Sequence, residues 1–300
     1  MDGFINVDKP QGITSFGVVK QIQRLIPRTK LGHLGTLDPM ASGVLPVAIG
    51  YATRLIEYVK DTDKVYRAQM TLGGVSDTLD AWGNVTYKQH IDFAAEMLPE
   101  VLQRFTGTIR QIPPMYSAVH HQGARLYELA RRGITVERES REIEIKFLQL
   151  EAISQDLEGR PVITLEVGCS QGTYIRSLCH DIGMELGTGA FLSGLVRTRA
   201  GVFAIETAHE LAEIKQSGNA WREWILPADF PLDHLPRLSV SSAQMQAICN
   251  GNRIVVSAPG VTGVIRIYSP ADSLAAIAQA SILAEGTEIK PLKVLCPRAN

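Results

Sequence analysis

Alternation of apolar and polar residues recurs along the first two hundred residues, and it constrains the fold more than any other feature of the chain. VYRAQMTLGG, GTIRQI, EIEIKFLQLEAI and VITLEVGCS all carry the two-residue period of a strand with one face toward a core. GFINVDK and VLPVAIG read as further strands. Helical spacing is confined to a few places. FGVVKQIQRLI places Val18, Ile22, Leu25 and Ile26 on one stripe after Ser15, which reads as its N-cap, and Pro27 ends it. ATRLIEYVKD and FAAEMLPEVLQRF read as short helices, and residues 173–186 carry Ile175, Leu178, Ile182 and Leu186 on one face. Strands outnumber helices and do not alternate with them as βαβ units. The expectation is therefore an α/β (α+β) chain built on a mixed, largely antiparallel sheet.

At 300 residues the chain has length for about two domains of ~150 residues each. The Pro-rich stretch LPADFPLDHLPRL has the composition of a boundary. We expect one domain over 1–230 and a small β-rich domain over 236–300. No apolar run approaches the ~20 residues of a membrane-spanning helix, and the N-terminus lacks the layout of a signal peptide, so a cytoplasmic protein is expected. Cysteines at 169, 179, 249 and 296 form no CxxC pair and no metal-ligand spacing, and read as buried thiols in a reducing compartment.

Thirty basic residues balance 31 acidic ones, but unevenly along the chain. Residues 1–60 carry seven Lys/Arg against four acids, and residues 101–150 carry eight against five. If the two segments share a face they suit a polyanion; otherwise they are solvated surface. No P-loop, no GxGxxG fingerprint and no zinc spacing is present. His120-His121 and Cys179-His180-Asp181 lack a partner pair, so no metal and no cofactor are expected.

GHLGTLDPMASGVLP, residues 32–46, is the stretch richest in chemistry. Pro39 biases Asp38 toward extended backbone, which fixes the direction of its carboxylate, and the flanking glycines allow tight turns and close approach of a ligand. An Asx-turn that merely closes the loop fits the same residues.

This loop resembles the signature of the TruB-type tRNA pseudouridine synthases, in which the Asp of the G-T-L-D-P run is the catalytic carboxylate. Four further motifs follow in the same order. GFINVDKPQGITS is similar to the N-terminal motif, with its Lys-Pro pair at Lys9 and Pro10. KVYRAQMTLGGVSDTLDAWG is similar to the segment carrying the active-site tyrosine, here Tyr66. GTYIRSLCHDIG resembles the motif with a second aromatic and the arginine that pairs with the catalytic Asp, here Tyr174 and Arg176. GLVRTRAG resembles the late L-x-R element, Leu195 and Arg197.

The resemblance implies isomerisation of one uridine of the tRNA T loop, position 55, to pseudouridine. The base is flipped, its N1–C1′ bond is broken, and the ring is rejoined through C5. It places the chemistry on Asp38, Tyr66 and Arg176, and substrate contacts on His33, Tyr174, Leu195, Arg197 and Lys9. An extended GTYIRS would put Tyr174 and Arg176 on one side and Ile175 in the core. HHQGARLYELARRGITVERESREI resembles an RNA-clamping insertion, about 118–142, with Arg125, Arg131 and Arg132 as phosphate contacts. The tail matches the family's C-terminal PUA-like RNA-binding module loosely. The implied partner is tRNA, met through its T stem-loop by a monomer that needs no protein partner. Two alternatives remain: a catalytic subunit directed by a guide RNA, and a tRNA-folding chaperone with secondary catalysis.

Overall fold

Strand β1 (Gly3–Lys9) buries Phe4, Ile5 and Val7 completely, so it is enclosed on both faces. In the computed structural model the described residues are 2–60, 63–121, 123–257, 260–284 and 286–296; position 122 of the expected insertion and 297–300 of the expected C-terminal domain lie outside them. Helix α1 (Ser15–Leu25) follows, and its N-cap is Thr14, not Ser15: the Thr14 hydroxyl accepts from the Gly17 N–H at 2.9 Å. Ser15 turns inward instead. The chain after α1 forms β2 (Leu31–His33), paired antiparallel with β3 (Ser42–Ile49). The short helix expected over 52–61, whose position 61 lies outside the described residues, is a pair of 3₁₀ turns, Gly50–Arg54 and Ile56–Tyr58, neither with a side-chain cap. Two uncapped turns between strands do not sustain an α-helix.

Next come β4 (Lys64–Leu72), a small hairpin of β5 (Gly74–Ser76) and β6 (Val85–Tyr87), α2 (Leu98–Arg104) and β7 (Gly107–Gln111). The insertion holds a second hairpin, β8 (His120–His121) with β9 (Ala124–Arg125), and α3 (Leu126–Arg131). The long hairpin of β10 (Arg141–Gln155) and β11 (Pro161–Cys169) leads to α4 (Ile175–Glu185), β12 (Ala190–Ala200), β13 (Phe203–Ala204), β14 (His209–Glu210) and α5 (Leu211–Gln216).

The main sheet runs β14-β1-β3-β12-β4-β11-β10-β7, with β2 added to β3 and β13 to β12. Within it β1–β14 and β3–β12 are the parallel pairs, and the other neighbours are antiparallel. This is the mixed, largely antiparallel architecture expected from the alternation. The helical stripe of α4 is buried as its spacing requires, with Ile175, Leu178, Ile182 and Leu186 all below 10% exposed. It packs with Val18, Val19 and Ile22 of α1 in one apolar cluster on the sheet.

Beyond residue 236 lies a separate five-stranded sheet, consistent with a PUA-like subdomain. It comprises β15 (Arg237–Ser239), β16 (Ile254–Val256), β17 (Gly263–Tyr268), β18 (Leu274–Leu283) and β19 (Gly286–Val294), in the order β15-β17-β18-β19-β16. α6 (Ser242–Cys249) accompanies it, opened by a Ser241/Gln244 capping box.

Two expectations need correction here. The Pro-rich stretch is not an open linker: Ala228, Leu232 and Leu235 are buried in a cluster that joins Phe4, Val44 and Phe203 of the first sheet to Ile277 of the second. Its prolines shape a packed strap. Of the four cysteines, Cys169 and Cys179 are buried free thiols, but Cys249 and Cys296 form a disulfide. The two are 47 residues apart and meet only because α6 ends beside the exit of β19, which no local spacing announces. Among the described residues no helix is long and apolar enough to cross a membrane.

Candidate active site

One transverse row of the main sheet builds the floor of the site. The register pairs Lys9 with Gly43, Gly43 with Arg197, and Arg197 with Tyr66, so four of the sequence motifs meet in a line across β1, β3, β12 and β4. Gly43 must be glycine. Its φ is +100°, and a Cβ there would lie 2.3 Å from the Arg197 carbonyl oxygen. The Asp38 loop arches over this row between β2 and β3.

Arg197 is fully buried and holds the loop from below. Its Nε donates to the Val44 carbonyl at 2.7 Å, Nη2 to Gly35 O at 3.1 Å and Nη1 to Thr36 O at 3.4 Å, and the guanidinium also hydrogen-bonds the Tyr66 hydroxyl. Lys9 is fully buried too, and its Nζ donates to Pro10 O at 2.9 Å and Ile13 O at 2.8 Å. Both were expected to contact substrate. In this structure each is a fully buried cation whose donors are given to backbone carbonyls, the position of a brace. Burial pushes the Lys9 ammonium down to about 8, against the pull of Asp38. From above, Ser15 Oγ accepts from Leu37 N at 2.8 Å and donates to Leu37 O at 3.0 Å, and Gly12 N donates to Pro39 O at 2.8 Å. The residues on either side of Asp38 are thus pinned, while Asp38 itself is partly open, with 38% of its side chain exposed.

Arg176 reaches it from α4. Its Nη2 lies 2.8 Å from Asp38 Oδ2 and also donates to Tyr116 O at 2.9 Å; Nη1 donates to Thr78 O at 3.3 Å and lies 3.6 Å from Asp80 Oδ2. The pairing matches the expectation, but the local backbone does not. Tyr174 is the N-cap of α4 and Ile175 and Arg176 are already helical and buried, so an alternating GTYIRS strand is not what aims the arginine. Gln111 fixes this helix start, donating to Tyr174 O at 3.0 Å and accepting from Tyr174 N at 2.8 Å.

A cavity of about 290 Å³ opens at this point, lined among others by Asp38, Tyr66, Tyr174, Arg176, Leu195 and Lys64. It is of the size of a small-ligand pocket, ~300 Å³ and upward. Tyr66, 6% exposed, lies at its base, and burial pushes the phenol up to about 12 although Arg197 pulls the other way. A phenol so placed keeps its proton and offers a face. His33 does not line this cavity; it sits half-buried on β2, its Nδ1 has no hydrogen-bond partner among the described residues, and burial and Arg197 both lower its pKa.

Asp80 was missed. It is 6% exposed, accepts from the Thr78 hydroxyl at 2.8 Å and Trp82 N at 3.0 Å, and gives Arg176 a second carboxylate. It lies within the KVYRAQ…DAWG segment, but a lone Asp near a turn carries no signal of a distant arginine. The insertion is rooted at the cavity, since Ser117 and Ala118 line it and Tyr127 N donates to Ser117 O at 3.0 Å. Arg125, Arg131 and Arg132 are exposed on it, the first two with guanidinium carbons 6.0 and 5.4 Å from the Tyr127 ring centre.

Comparison with known proteins agrees with this geometry. The model for the TruB family pseudouridylate synthase N-terminal domain matches residues 23–175, and that for the tRNA pseudouridylate synthase B C-terminal domain matches 176–233. The chain belongs to the TruB family. tRNA pseudouridine synthase B of Syntrophomonas wolfei is 50% identical over 296 residues, covering 98% of each chain, and that of Dehalococcoides mccartyi strain 195 is 38% identical over 303, covering 100% of this chain and 99% of the other. A chain in the crystal structure of a Cbf5-Nop10-Gar1 complex superposes with a TM-score of 0.72 at 31% identity, over 99% of this chain and 85% of that one. As a TruB-family enzyme the chain isomerises uridine 55 of tRNA to pseudouridine through a flipped base.

Proposed function

We propose that Asp38 is the carboxylate that carries this isomerisation and that the cavity beside it receives the flipped uridine of the T stem-loop. The observation that supports this most is the contact between Asp38 Oδ2 and Arg176 Nη2 at 2.8 Å, at the edge of a cavity with a tyrosine at its base. Extruding the target uridine costs ~a few kcal/mol, which stacking on Tyr66 and desolvation by Leu195 and Tyr174 offset. Asp38 then meets the ribose, where it supports loss of the N1–C1′ bond. The freed uracil turns within the cavity, C5 bonds to C1′, the C5 proton leaves for solvent, and the released N1 takes a proton from solvent in its place. Atoms and electrons balance without any co-reactant. Tyr66, which holds its proton to about pH 12, acts as a platform and not as the base.

In this reading Arg125, Arg131 and Arg132 contact phosphates of the T arm. The enzyme works as a cytoplasmic monomer, with residues 1–230 as the catalytic domain and 236–300 as an accessory RNA-binding domain. The likeness to a Cbf5 chain raises a guide-directed alternative. The relatives that match this chain end to end, however, are tRNA pseudouridine synthases B. Tritium release from unmodified tRNA carrying [5-³H]uridine, with no guide RNA added, decides between them. Wild type should turn over, and Asp38→Asn should not, while its tRNA affinity stays within a few-fold because phosphate contacts supply most of the binding. Turnover of Asp38→Asn near the wild-type rate would refute the role given to Asp38.

A further inference from the structure

Six of the seven basic residues of the first sixty, all but Lys60, divide into two groups. Lys9 is buried as a brace, and Arg54 Nη1 donates to Val294 O at 2.8 Å. Lys20, Arg24, Arg28 and Lys30 do neither. All four are exposed, and among the described residues none forms an ion pair or a side-chain hydrogen bond. No acidic residue occurs between Asp8 and Asp38 to neutralise them.

Their placement is ordered. Phe16, Lys20 and Arg24 are spaced by four on α1 and form one exposed stripe, opposite the buried Val18, Val19 and Ile22. Each step is ~6 Å along the helix axis. Phe16, at the end of the stripe, is 60% exposed, and the Lys20 ammonium sits 4.7 Å from its ring centre. That end adjoins the catalytic loop, because the neighbouring Ser15 holds Leu37 and Gly12 holds Pro39. A large aromatic left in water, beside a reaction that takes a nucleotide out of its stack, followed by a line of unneutralised cations, has the makeup of a single-strand nucleic-acid track.

We propose that this face of α1 is a second RNA-contact surface. Phe16 stacks on a nucleotide next to the flipped uridine, and Lys20 and Arg24, continued by Arg28 and Lys30, follow the phosphates that lead away from the site. The proposal rests on the RNA-isomerase reading and extends it to a surface separate from the insertion.

The test is nitrocellulose filter binding of an isolated T stem-loop between 50 and 300 mM salt, together with tritium release at saturating RNA. The Lys20→Gln/Arg24→Gln double variant should lower the slope of log K against log salt by about 1.5, since each lost phosphate contact removes ~0.7–0.9. Phe16→Ala should weaken binding about ten-fold at every salt concentration and leave the slope unchanged. Neither variant touches Asp38, Tyr66 or Arg176, so the rate at saturating RNA should stay within two-fold of wild type. A wild-type slope in the double variant overturns the phosphate track, and wild-type affinity in Phe16→Ala overturns the stacking platform. Loss of turnover in the wild type itself would overturn the enzymatic reading instead, so the two failures are distinct.

Discussion

Arg176 sits between two carboxylates, with Nη2 2.8 Å from Asp38 Oδ2 and Nη1 3.6 Å from Asp80 Oδ2, and it is 5% exposed while Asp38 is 38% exposed. One guanidinium thus links the partly open acid of the loop to a buried acid near the β5–β6 hairpin. It also closes two backbone carbonyls, those of Tyr116 and Thr78. A lysine keeps the charge but not the planar fork, and one ammonium cannot serve four acceptors spread around it. Arg176→Lys should therefore lower kcat by more than a hundred-fold. It should also cost about 3 kcal/mol of stability, because Asp80 is left buried beside an incomplete partner. Urea unfolding and single-turnover tritium release measure the two effects, and an unchanged kcat would remove Arg176 from the mechanism.

Ser15 shows how closely the Asp38 loop depends on α1. Its hydroxyl both accepts from Leu37 N and donates to Leu37 O, one residue before Asp38. Removing it leaves a buried N–H and a buried C=O unpaired, a loss of ~1–3 kcal/mol. A displacement of ~1 Å at a reacting group can cost ~10²-fold in rate. Ser15→Ala should lower kcat ten- to hundred-fold with little change in tRNA affinity. A fall in melting temperature with kcat intact at low temperature would mean that the contact only stabilises the fold.

Much of the site was legible because the motifs are contiguous: Asp38, Tyr66, Tyr174, Arg176 and Leu195 all face one cavity. The strands were legible for a related reason, since two-residue alternation is a local pattern that the sheet simply repeats. Direction was not legible. Lys9 and Arg197 look like substrate-facing cations in the sequence, yet the register row turns both inward to backbone carbonyls, and no spacing rule distinguishes the two fates. The shift of the α1 cap from Ser15 to Thr14 has the same origin. Either hydroxyl can cap a helix, and the need to hold Leu37 decides which one does. Asp80 and the Cys249–Cys296 pair depend on contacts that exist only after folding.

Lys9 and Tyr66 give opposite signatures in alkaline solution. Lys9 falls from 10.5 to about 8 in the folded chain, so between pH 8 and 10.5 the unfolded chain binds more protons, and this group's contribution to stability rises with pH. Tyr66 rises from 10.0 to about 12, so between pH 10 and 12 the folded chain binds more protons, and its contribution falls. Relative to Lys9→Met, the wild type should gain stability from pH 8 to pH 10 and show no relative change from pH 6 to 7.5. Relative to Tyr66→Phe, it should lose stability above pH 10. Denaturant melts at each pH provide the readout, and a flat Lys9→Met difference across pH 8–10 would contradict the burial assigned to that ammonium.

The disulfide offers a test that leaves the catalytic chemistry alone. Joining Cys249 to Cys296 across 47 residues removes unfolded-chain entropy worth about 4 kcal/mol in the loop-closure model. The end of β19 has other anchors: Leu295 N donates to Ala275 O at 2.8 Å, and Lys293 pairs with Glu57 at 2.8 Å. Reduction should therefore lower the melting temperature without undocking the strand, and turnover at 25 °C should be unchanged, because the Asp38 cavity is built on the other sheet. The two remaining thiols are buried, Cys169 pushed up to about 11 and Cys179 to about 12, which keeps them unreactive. Alkylation of the folded protein followed by mass spectrometry should label no cysteine before reduction and Cys249 and Cys296 after it. Labelling of that pair without reductant would show that the bond does not form.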